Sequence, residues 1–519
     1  MRISRRQLLQ LAGASVLAYG SQCPAGSLTS SVNAEGLSVL RIRNNRRLDS
    51  LDPGFTFNQI EAAIICAILP MLADSGAGLE SYKPLDAAYI DQVDRTHIRF
   101  GLRPGLFWTN GFGPVTANDV KASYERIANP ANNSAYSSDW AALDYIEVIN
   151  EREGVIVLKE PFTPLLSTTL PGPAGAILPA AVLQGNESRN FGVDLPATAG
   201  PYRIKQWNPG QSFIMERNPD WNGDRPTFDE VHLILIVDDK AAEIAYDAGE
   251  VDATRLAASS LAEFESHPRP NSTIIKNPLH SYYWLGMRVD HPLYRDIRVR
   301  RAVQQAINIE ELVEGAFLGS VKPATGIIAP GVIGYRQKQG LPPFDPQAAK
   351  RLLAEAGYPD GFKTIITTTT ETELVAAATI VATQLIKIGI RAEVAPEENN
   401  SVITRAQGPL KYRKNDQMIL WQYGVNPDPY WYMAWFTPEQ IGKWNWERWD
   451  SKEFGKLARQ GTLEDDPLKR QLIYERMAAL MDDSGAYVFF ANGLNAVIHR
   501  DYIPYKVRHN PLQPAFRFI

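Results

Sequence analysis

Apolar residues follow two different spacings along the chain, one typical of strands and one typical of helices. Short, nearly continuous apolar runs at 37–43 and 230–237 predict buried strands. The longer stretch 373–389 has helical length and stops at Gly389, which predicts a helix that ends there. Strands and helices of this kind alternate, and no period of roughly 20–50 residues repeats, so we predict α/β lobes whose sheets are covered by helices.

The same two spacings predict elements over most of the chain. The alternation at 97–108 is that of a hairpin, interrupted at Arg103-Pro104-Gly105. A helix at 114–127 is predicted to begin at Thr116 or Asn118, since either side chain can cap it. The other predicted helices are 60–72, 299–307 and 346–357, and a helix that runs into a turn is predicted at 241–256. The other predicted strands are 153–160, 282–289, 390–395 and 417–423.

Length and composition limit the class of protein. One hydrophobic core rarely exceeds about 250–300 residues, so a chain of 519 residues predicts at least two lobes. Hydrophobic content of 45% and charged content of 21% are those of a soluble globular protein. The net charge is −5 and the basic residues are scattered, so we expect neither nucleic acid nor an anionic lipid surface as a partner.

Residues 1–34 are predicted to be a signal peptide and tether. Basic residues precede an apolar run at 8–19, which is shorter than the roughly 20 residues of a membrane span, and small residues follow it. The adjacent Arg5 and Arg6 favour export by the twin-arginine route, and a Sec signal with a chance arginine pair is the alternative. Both routes predict an exported protein of the periplasm or cell surface.

The two cysteines, Cys23 and Cys66, neither support nor oppose export. The residues before Cys23 are Gly20, Ser21 and Gln22, a poor approach to a lipobox, so a lipid anchor is not expected. If cleavage falls after Cys23, no internal disulfide can form. A core of this size does not need one.

Motifs for catalysis and for direct metal binding are missing from the sequence. None of the seven histidines forms a close i, i+4 pair or adjoins a cysteine or carboxylate cluster. There is no Gly-x-Ser-x-Gly, Ser-x-x-Lys or His-Glu-x-x-His motif and no glycine-rich phosphate loop. We therefore predict a protein that is not an enzyme and has no cofactor or bound metal ion, while a chelated metal complex stays open as a solute.

Five segments carry more specific motifs. They are LRPGLFWTNGFGPVTANDVKASYERI (102–127), TAGPYRIKQWNPGQSFIMERNPDWNG (198–223), RDIRVRRAVQQAIN (295–308), FDPQAAKRLLAEAGYPDGF (344–362) and LWQYGVNPDPYWYMAWF (420–436). In this order they resemble the peptide, dipeptide and nickel solute-binding proteins of bacterial ABC importers (family 5, cluster C). One such segment alone would be weak, because Gly-Pro turns and Ala/Leu helices are common. Five in the order of the family are specific.

The resemblance implies a two-lobed α/β clamshell of the periplasmic-binding-protein type (type II, cluster C). Lobe one would comprise 35–277 and 489–519, with an additional subdomain at about 60–185, and lobe two would comprise 278–488. The segments KNPLHSYYWLGM and AYVFFANG would join the lobes as hinges. Such a protein is a monomer that encloses a small-molecule ligand between its lobes and delivers it to an ABC permease in the inner membrane.

The resemblance also places three regions at the cleft: the loop after the first strand, the crossing into lobe two, and the aromatic segment from Trp421 to Tyr432. Aromatic rings there suit sugars or peptide side chains, because they bury much area at little cost in rotamer entropy. Whether Trp284 and Trp435 line the cleft or belong to the core stays open. The predicted ligand-binding residues are Phe57, Asn58, Gln59, Tyr282, Tyr283, Arg288, Arg405, Trp421, Tyr423, Gly424, Val425, Asn426 and Asp428.

One of these positions departs from the family pattern. Peptide-binding members hold the peptide α-ammonium with an aspartate three residues before the acidic residue of a conserved acid-proline pair. Here that position is Val425, and Asp428 of the pair is expected to shape the turn. An ammonium buried without a counter-charge costs several kcal/mol, out of about 8 kcal/mol for a micromolar complex. A peptide held by its free amine is therefore disfavoured.

Basic residues point instead to an anionic solute. Arg288, on the strand that enters lobe two, and Arg405, ahead of the Trp421 segment, would suit a carboxylate or phosphate. A solvated surface charge is the alternative for both, and it is the preferred interpretation of Lys411 and Arg413. The predicted ligand is a sugar-containing or anionic conjugate of the opine or agrocinopine type. The alternatives are an oligopeptide or dipeptide ligand and, less favoured, an exported enzyme.

Overall fold

The computed structural model describes residues 31–32, 36–56, 59–75, 82–398, 401–403, 405, 416–425, 427–504 and 516–518. Within this part of the chain the strands are β1 Ser31–Val32, β2 Ser38–Asn44, β3 Ala73–Ser75, β4 Tyr82–Pro84, β5 Ala87–Gln92, β6 His97–Leu102, β7 Leu143–Val148, β8 Glu153–Leu158, β9 Tyr202–Asn208, β10 Ser212–Arg217, β11 Glu230–Leu235, β12 Ala253–Arg255, β13 Ser272–Pro278, β14 Ser281–Met287, β15 Lys363–Thr369, β16 Arg391–Glu397, β17 Met418–Gly424, β18 Tyr487–Ala491 and β19 Leu494–Arg500.

The α-helices of the same ranges are α1 Gln59–Ile68, α2 Ala117–Ala128, α3 Ala180–Leu183, α4 Asp239–Asp247, α5 Ala258–Ser266, α6 Ile297–Ala306, α7 Ile309–Phe317, α8 Pro346–Glu355, α9 Thr372–Ile386, α10 Pro429–Met433, α11 Lys452–Leu463 and α12 Pro467–Asp483. None of the helices described combines the length and the hydrophobicity that crossing a bilayer requires.

Most strands belong to two large mixed sheets. Sheet A has eight strands in the order β13-β19-β12-β2-β11-β10-β9, with β1 paired to β2, and sheet B has five in the order β16-β15-β17-β14-β18. Each contains parallel pairs, β2–β11 and β2–β12 in sheet A and β15–β16 and β15–β17 in sheet B. A smaller antiparallel sheet C has the order β5-β6-β8-β7. The predicted alternation of strands and helices is confirmed.

The described chain passes between sheets A and B at two places that lie side by side. The first passage joins the end of β13 at Pro278 to β14 at Ser281, and the second joins β18 at Ala491 to β19 at Leu494. The Leu279 amide donates to the Gly493 carbonyl over 2.8 Å, and the Gly493 amide donates to Ser281 Oγ over 3.0 Å. The two sheets are thus connected by a narrow, hydrogen-bonded pair of segments.

Two separate apolar cores lie on the opposite faces of sheet B. Along β14, Tyr283 and Leu285 join a cluster with helices α6 to α9, whereas Tyr282 and Trp284 join a second cluster with α11 and α12. This division follows from the two-residue period of strands, which turns successive side chains to opposite faces. A third cluster is shared by sheet A, helix α1 and sheet C, so sheet C packs as an extension of the unit built on sheet A.

Several predicted element boundaries have visible local causes. Helix α2 begins after Thr116, whose amide donates to the Asp119 carboxylate over 2.7 Å, as expected for an N-cap. Helix α9 ends before Gly389, which has φ of +90°. The helix predicted at 60–72 stops at Ile68, because Pro70 has no amide hydrogen to continue it.

The hairpin predicted at 97–108 is wrong. Strand β6 covers the first half of that segment, but it pairs with β5 and β8 and ends at Leu102. The residues after it make only an isolated bridge between Phe107 and Pro114. Gly105, with φ of +78°, turns the chain away from β6, and the strand then finds its partners elsewhere in sequence.

Candidate ligand-binding site

A pocket lies between the units built on sheets A and B. The first unit contributes Arg255 and Leu494, and the second contributes Tyr283, Phe317 and Glu373. This pocket is placed where β12 of sheet A ends and helix α5 begins, at the carboxyl end of a strand that runs parallel to β2. Crevices at the carboxyl ends of such strands are the usual binding sites of α/β proteins.

The pocket is lined by two charged residues, Glu373 and Arg255, and Arg255 is the cationic one. It forms no ion pair with any carboxylate of the described residues, and its Nε is buried without a hydrogen-bond partner. Nearby, burial raises the pKa of Tyr283, and Arg255 opposes that shift. The arginine can therefore offer its donors to an acidic group that enters the pocket.

A second contact between the two units lies at the amino end of helix α1. A Cβ added at Gly424, the last residue of β17, would stand 3.1 Å from Gln59 Nε2. The next residue, Val425, is 6% exposed, and its amide donates to the His280 carbonyl over 2.7 Å. Gln59, Gly424 and Val425 are thus brought together beside the first passage between the sheets. The predicted residues Phe57, Asn58 and Asn426 lie outside the described residues.

The predicted aromatic residues do not share one surface. Tyr282 and Trp421 are almost fully buried, and the Tyr282 ring lies 6.0 Å from that of Tyr423. These three belong to the cluster on the α11–α12 face of sheet B, together with Trp284, while Tyr283 faces the other way. Trp284 is fully buried, so it belongs to the core. The ring platform expected from the sequence is packed against itself, and its role in binding stays a prediction.

The two arginines predicted to bind an anion have carboxylate partners within the protein. Arg288 Nε donates to Asp290 Oδ1 over 2.6 Å. Arg405 Nε donates to Asp416 Oδ1 over 2.9 Å, and Arg405 Nη1 also donates to Glu397. Their charges are balanced before any solute arrives, which makes them weaker candidates than Arg255. Lys411 and Arg413 lie outside the described residues.

Asp428 stabilises the fold through a helix cap and a buried ion pair. It is fully buried, caps helix α10 by accepting from the Tyr430 amide over 2.8 Å, and receives Arg470 Nη2 at 3.2 and 3.1 Å on its two oxygens. The cap and the ion pair fix the turn after β17, as the sequence led us to expect. A solute could not reach this carboxylate without breaking that pair.

A cavity inside the second unit contains a residue that the sequence did not single out. Glu447 is 1% exposed and lines the cavity with Trp446, Gly286 and the ion-paired Arg288 and Arg405. Its Oε1 accepts the Trp284 indole N–H over 2.8 Å, but its Oε2 is buried and has no hydrogen-bond partner. Burial raises the pKa of Glu447 to about 7.

Polar contacts join the sheet-C region to the second unit, and we call this boundary the rim. The Thr163 amide donates to the Thr462 carbonyl over 2.9 Å, and Trp431 Nε1 donates to Thr168 Oγ1 over 3.3 Å. Arg459 forms an ion pair with Glu160 across the same boundary. Polar groups thus hold the sheet-C region and the second unit in contact. Within the described ranges, no three metal-ligating side chains lie together.

Sequence reasoning missed Arg255 and Glu447 for a common reason. Neither lies in a segment with a recognisable binding motif. Arg255 lies in a short strand before a helix, and Glu447 lies in a tryptophan-rich loop. One signal was available for Glu447, since an acidic residue inside WNWERW is surrounded by aromatic side chains that tend to be buried. Arg255 carried no comparable signal.

Known proteins with similar sequences and folds agree with this architecture. The glutathione-binding protein GsiB of Salmonella typhi is 27% identical over 364 residues, which is 69% of this chain and 69% of that protein. The periplasmic binding protein DppA of Helicobacter pylori, described as ABC transporter-associated and solved with the peptide STSA, aligns with a TM-score of 0.80 at 22% identity, over 92% of this chain and 97% of its own. AgaA from A.tumefacien, solved with agropinic acid, aligns with a TM-score of 0.76 at 22% identity, over 89% and 93% of the two chains.

These alignments confirm the predicted two-lobed fold. The sequence itself matches the family of bacterial extracellular solute-binding proteins, family 5 Middle, over residues 68–444, well over half of the chain. The chain therefore belongs to family 5 of the bacterial extracellular solute-binding proteins, which are non-enzymatic components of transport, as the sequence motifs predicted.

Proposed function

We propose that the protein works as a monomer in the periplasm, captures a small solute between two lobes, and delivers it to an ABC permease in the inner membrane. Family membership supports solute capture outside the cytoplasm. The ABC partner is suggested by relatives such as DppA of Helicobacter pylori. Export by the twin-arginine route is part of the proposal and is supported by the adjacent Arg5 and Arg6.

The lobes in this proposal follow the two large sheets. Lobe one comprises 35–277 and 489–519 with a subdomain at about 60–185, and lobe two comprises 278–488. The division is supported by the strands of sheet A, which fall in 31–44, 202–278 and 494–500, and by those of sheet B, which fall in 281–491. Residues 489–491 are the exception, since they belong to β18 of sheet B. Rotation about two short passages lets the lobes move as rigid bodies, since bending there disturbs few packed side chains.

The solute is proposed to carry an acidic group, as in a sugar-containing or anionic conjugate of the opine or agrocinopine type. The observation that carries this is Arg255, a partly buried guanidinium in the pocket between the sheets with no carboxylate partner among the described residues. A guanidinium binds carboxylate or phosphate with two parallel hydrogen bonds. The relative AgaA, solved with agropinic acid, is consistent with this class.

A peptide-like solute is the second candidate. It is favoured by relatives whose names state glutathione or a bound peptide. Glutathione combines acidic groups with an amine, so it probes both candidates at once.

A thermal-shift and calorimetric screen tests the proposal with agropinic acid, glutathione, the dipeptide Met-Leu and a neutral sugar. A bound solute raises the unfolding midpoint in proportion to RT ln(1 + [L]/Kd). We expect an acidic probe to bind, and Arg255→Ala to weaken it about 10- to 100-fold, the usual value of a hydrogen bond to a charged group. The matched control is Arg225→Ala, because Arg225 lies in the same lobe with a side chain 78% exposed.

Two results would count against the acidic class. One is that only the neutral sugar binds, and the other is that Arg255→Ala binds the acidic probe as tightly as Arg225→Ala. If none of the probes binds at millimolar concentration, the solute lies outside the classes proposed.

A further inference from the structure

The pocket between the two units has walls of opposite charge. Arg255, the last residue of β12, belongs to the unit built on sheet A, and Glu373, in the first turn of α9, belongs to the unit built on sheet B. The other residues that line the pocket are uncharged, so one positive and one negative charge leave its formal charge at zero. An acidic group that enters the pocket therefore meets both a cation and a carboxylate.

Glu373 has no cation of its own. It forms no ion pair with a basic side chain of the described residues, whereas Glu371, two residues earlier, pairs with Arg46 of the first unit at 3.6 Å. Arg255 likewise has no carboxylate partner in that part of the chain, and its Nε is buried without a hydrogen-bond partner. The two charges thus share the pocket without contact, which leaves room for an acidic group between them.

Helix α9 holds the Glu373 carboxylate at the pocket. Glu373 is the second residue of this helix, and its side chain is half-buried. A negatively charged side chain is stabilised at the amino end of a helix, because the backbone amide groups there carry partial positive charge and have no partner within the helix. The fold thus places a negative charge on this wall and keeps it there.

Both charges act at the same place, and Tyr283 reports on them. This tyrosine also lines the pocket. Burial raises its pKa, Arg255 acts to lower it, and Glu373 acts to raise it further. A solute group near the Tyr283 hydroxyl should feel the attraction of Arg255 and the repulsion of Glu373 together.

The balance of these two charges limits how many negative charges a solute group can bring. The first is matched by Arg255, whose guanidinium can donate two parallel hydrogen bonds to a carboxylate or a phosphodiester. A second negative charge would find no further cation in the pocket and would lie close to Glu373. The cost of its desolvation would therefore not be offset by an ion pair.

We propose that Glu373 determines the charge of the solute group that the pocket accepts: one negative charge, as in a carboxylate or a phosphodiester, and not the two of a phosphate monoester. The proposal rests on the binding of an acidic solute by Arg255 proposed above, and it adds a residue that excludes solutes. If Glu373 only stabilised the fold, replacing it would change stability but not the relative affinities of the two kinds of phosphate ester.

Dimethyl phosphate and methyl phosphate are suitable probes, because they differ in charge and little in size. At pH 8 the diester carries one negative charge, and the monoester carries two because its second pKa is about 6. Phosphorus NMR titrations at constant ionic strength measure both affinities. We expect wild type to bind methyl phosphate no more tightly than dimethyl phosphate.

Glu373→Gln removes the repulsion and keeps the size of the side chain. Two like charges about 6 Å apart near a protein surface change a binding constant about tenfold or more. The affinity for methyl phosphate relative to that for dimethyl phosphate should therefore rise at least tenfold in this variant. The matched control is Glu310→Gln, which should leave the ratio unchanged, because Glu310 is also the second residue of a helix of the second unit but is exposed.

Either of two results overturns the proposal: a ratio of affinities that Glu373→Gln does not change, or a wild type that binds methyl phosphate about tenfold more tightly than dimethyl phosphate. The second result needs no variant, so it decides even if Glu373→Gln does not fold.

Arg255→Ala separates this proposal from the function on which it rests. If Arg255→Ala binds both esters as tightly as wild type, or if wild type binds neither, the role of Arg255 is contradicted and the limit on charge falls with it. If Arg255→Ala loses the binding while Glu373→Gln leaves the ratio unchanged, Arg255 keeps its role and only the limit on charge is refuted.

Discussion

Replacing Glu447 by glutamine should change how the stability of the protein depends on pH. The carboxyl is buried, and its pKa is raised from 4.5 to about 7. The pKa of such a group is higher in the folded state than in the unfolded chain. Its contribution to stability is complete when the pH is below the pKa of the unfolded chain, and it is lost as the pH rises through the pKa of the folded state. Glu447 should thus make the protein less stable at pH 8 than at pH 5.

The size of this effect follows from the shift. One pKa unit corresponds to 1.36 kcal/mol, so a rise from 4.5 to about 7 corresponds to about 3 kcal/mol between acid and alkaline solution. Glutamine cannot ionise, yet its amide oxygen can keep the hydrogen bond from Trp284. Part of this effect lies below pH 5, so the free energy of unfolding of Glu447→Gln relative to wild type should increase by about 2–3 kcal/mol from pH 5 to pH 8.

Urea unfolding followed by circular dichroism at pH 5, 6, 7 and 8 measures this difference. The control is Glu439→Gln, an exposed carboxylate on the same loop, which should track wild type at every pH. A difference between Glu447→Gln and wild type that stays constant within 1 kcal/mol across the four pH values would refute the reasoning, as would a difference that shrinks as pH rises.

Two further predictions concern the ion pairs that hold the second unit and its rim. Arg470→Met leaves Asp428 buried without a cation, so the free energy of unfolding should fall by about 3–5 kcal/mol. The double variant Arg470→Met/Asp428→Asn should recover part of that loss. A loss below about 1 kcal/mol for Arg470→Met in urea unfolding would contradict the prediction. Arg459→Glu places a second negative charge at the rim, opposite Glu160, so small-angle scattering should show a larger radius of gyration at low salt. The increase should disappear in 0.5 M NaCl, because salt screens the repulsion. The control is Arg476→Glu, which alters an ion pair inside the second unit and should leave the radius unchanged.

The elements and the fold class could be predicted because their signals are local or repeated. The apolar run at 282–289 became β14, and the helix predicted at 346–357 became α8, ending just before Gly357 with φ of +90°. Patterns of this kind depend on neighbours within one turn or one strand. The division of the chain into two lobes was predicted from the five motif segments spread over the chain. The spacing of apolar residues alone could not have predicted it.

The candidate site was harder to predict, because charge pairing and burial are decided by distant residues. Arg288 pairs with Asp290, only two residues away, so that pair could have been anticipated, whereas Arg405 meets Asp416 and Glu397 only when β16 and β17 enter the same sheet. Glu447 becomes a buried acid because Trp284 and Gly286, far away in sequence, close over it. Sequence spacing contains neither fact.

The faces of sheet B limit what a single solute can do. Tyr283 lines the pocket that contains Arg255, and Trp284 donates to Glu447. Successive residues of a strand point to opposite faces, so Arg255 and Glu447 lie on opposite sides of β14. Glu447 also lies beside Gly286, near the end of β14 opposite to its start at Ser281, so a solute in the pocket of Arg255 does not reach it. Arg255→Ala should therefore weaken the binding of glutathione about tenfold while Glu447→Gln leaves it unchanged, and equal losses in the two variants, measured by calorimetry, would contradict this placement.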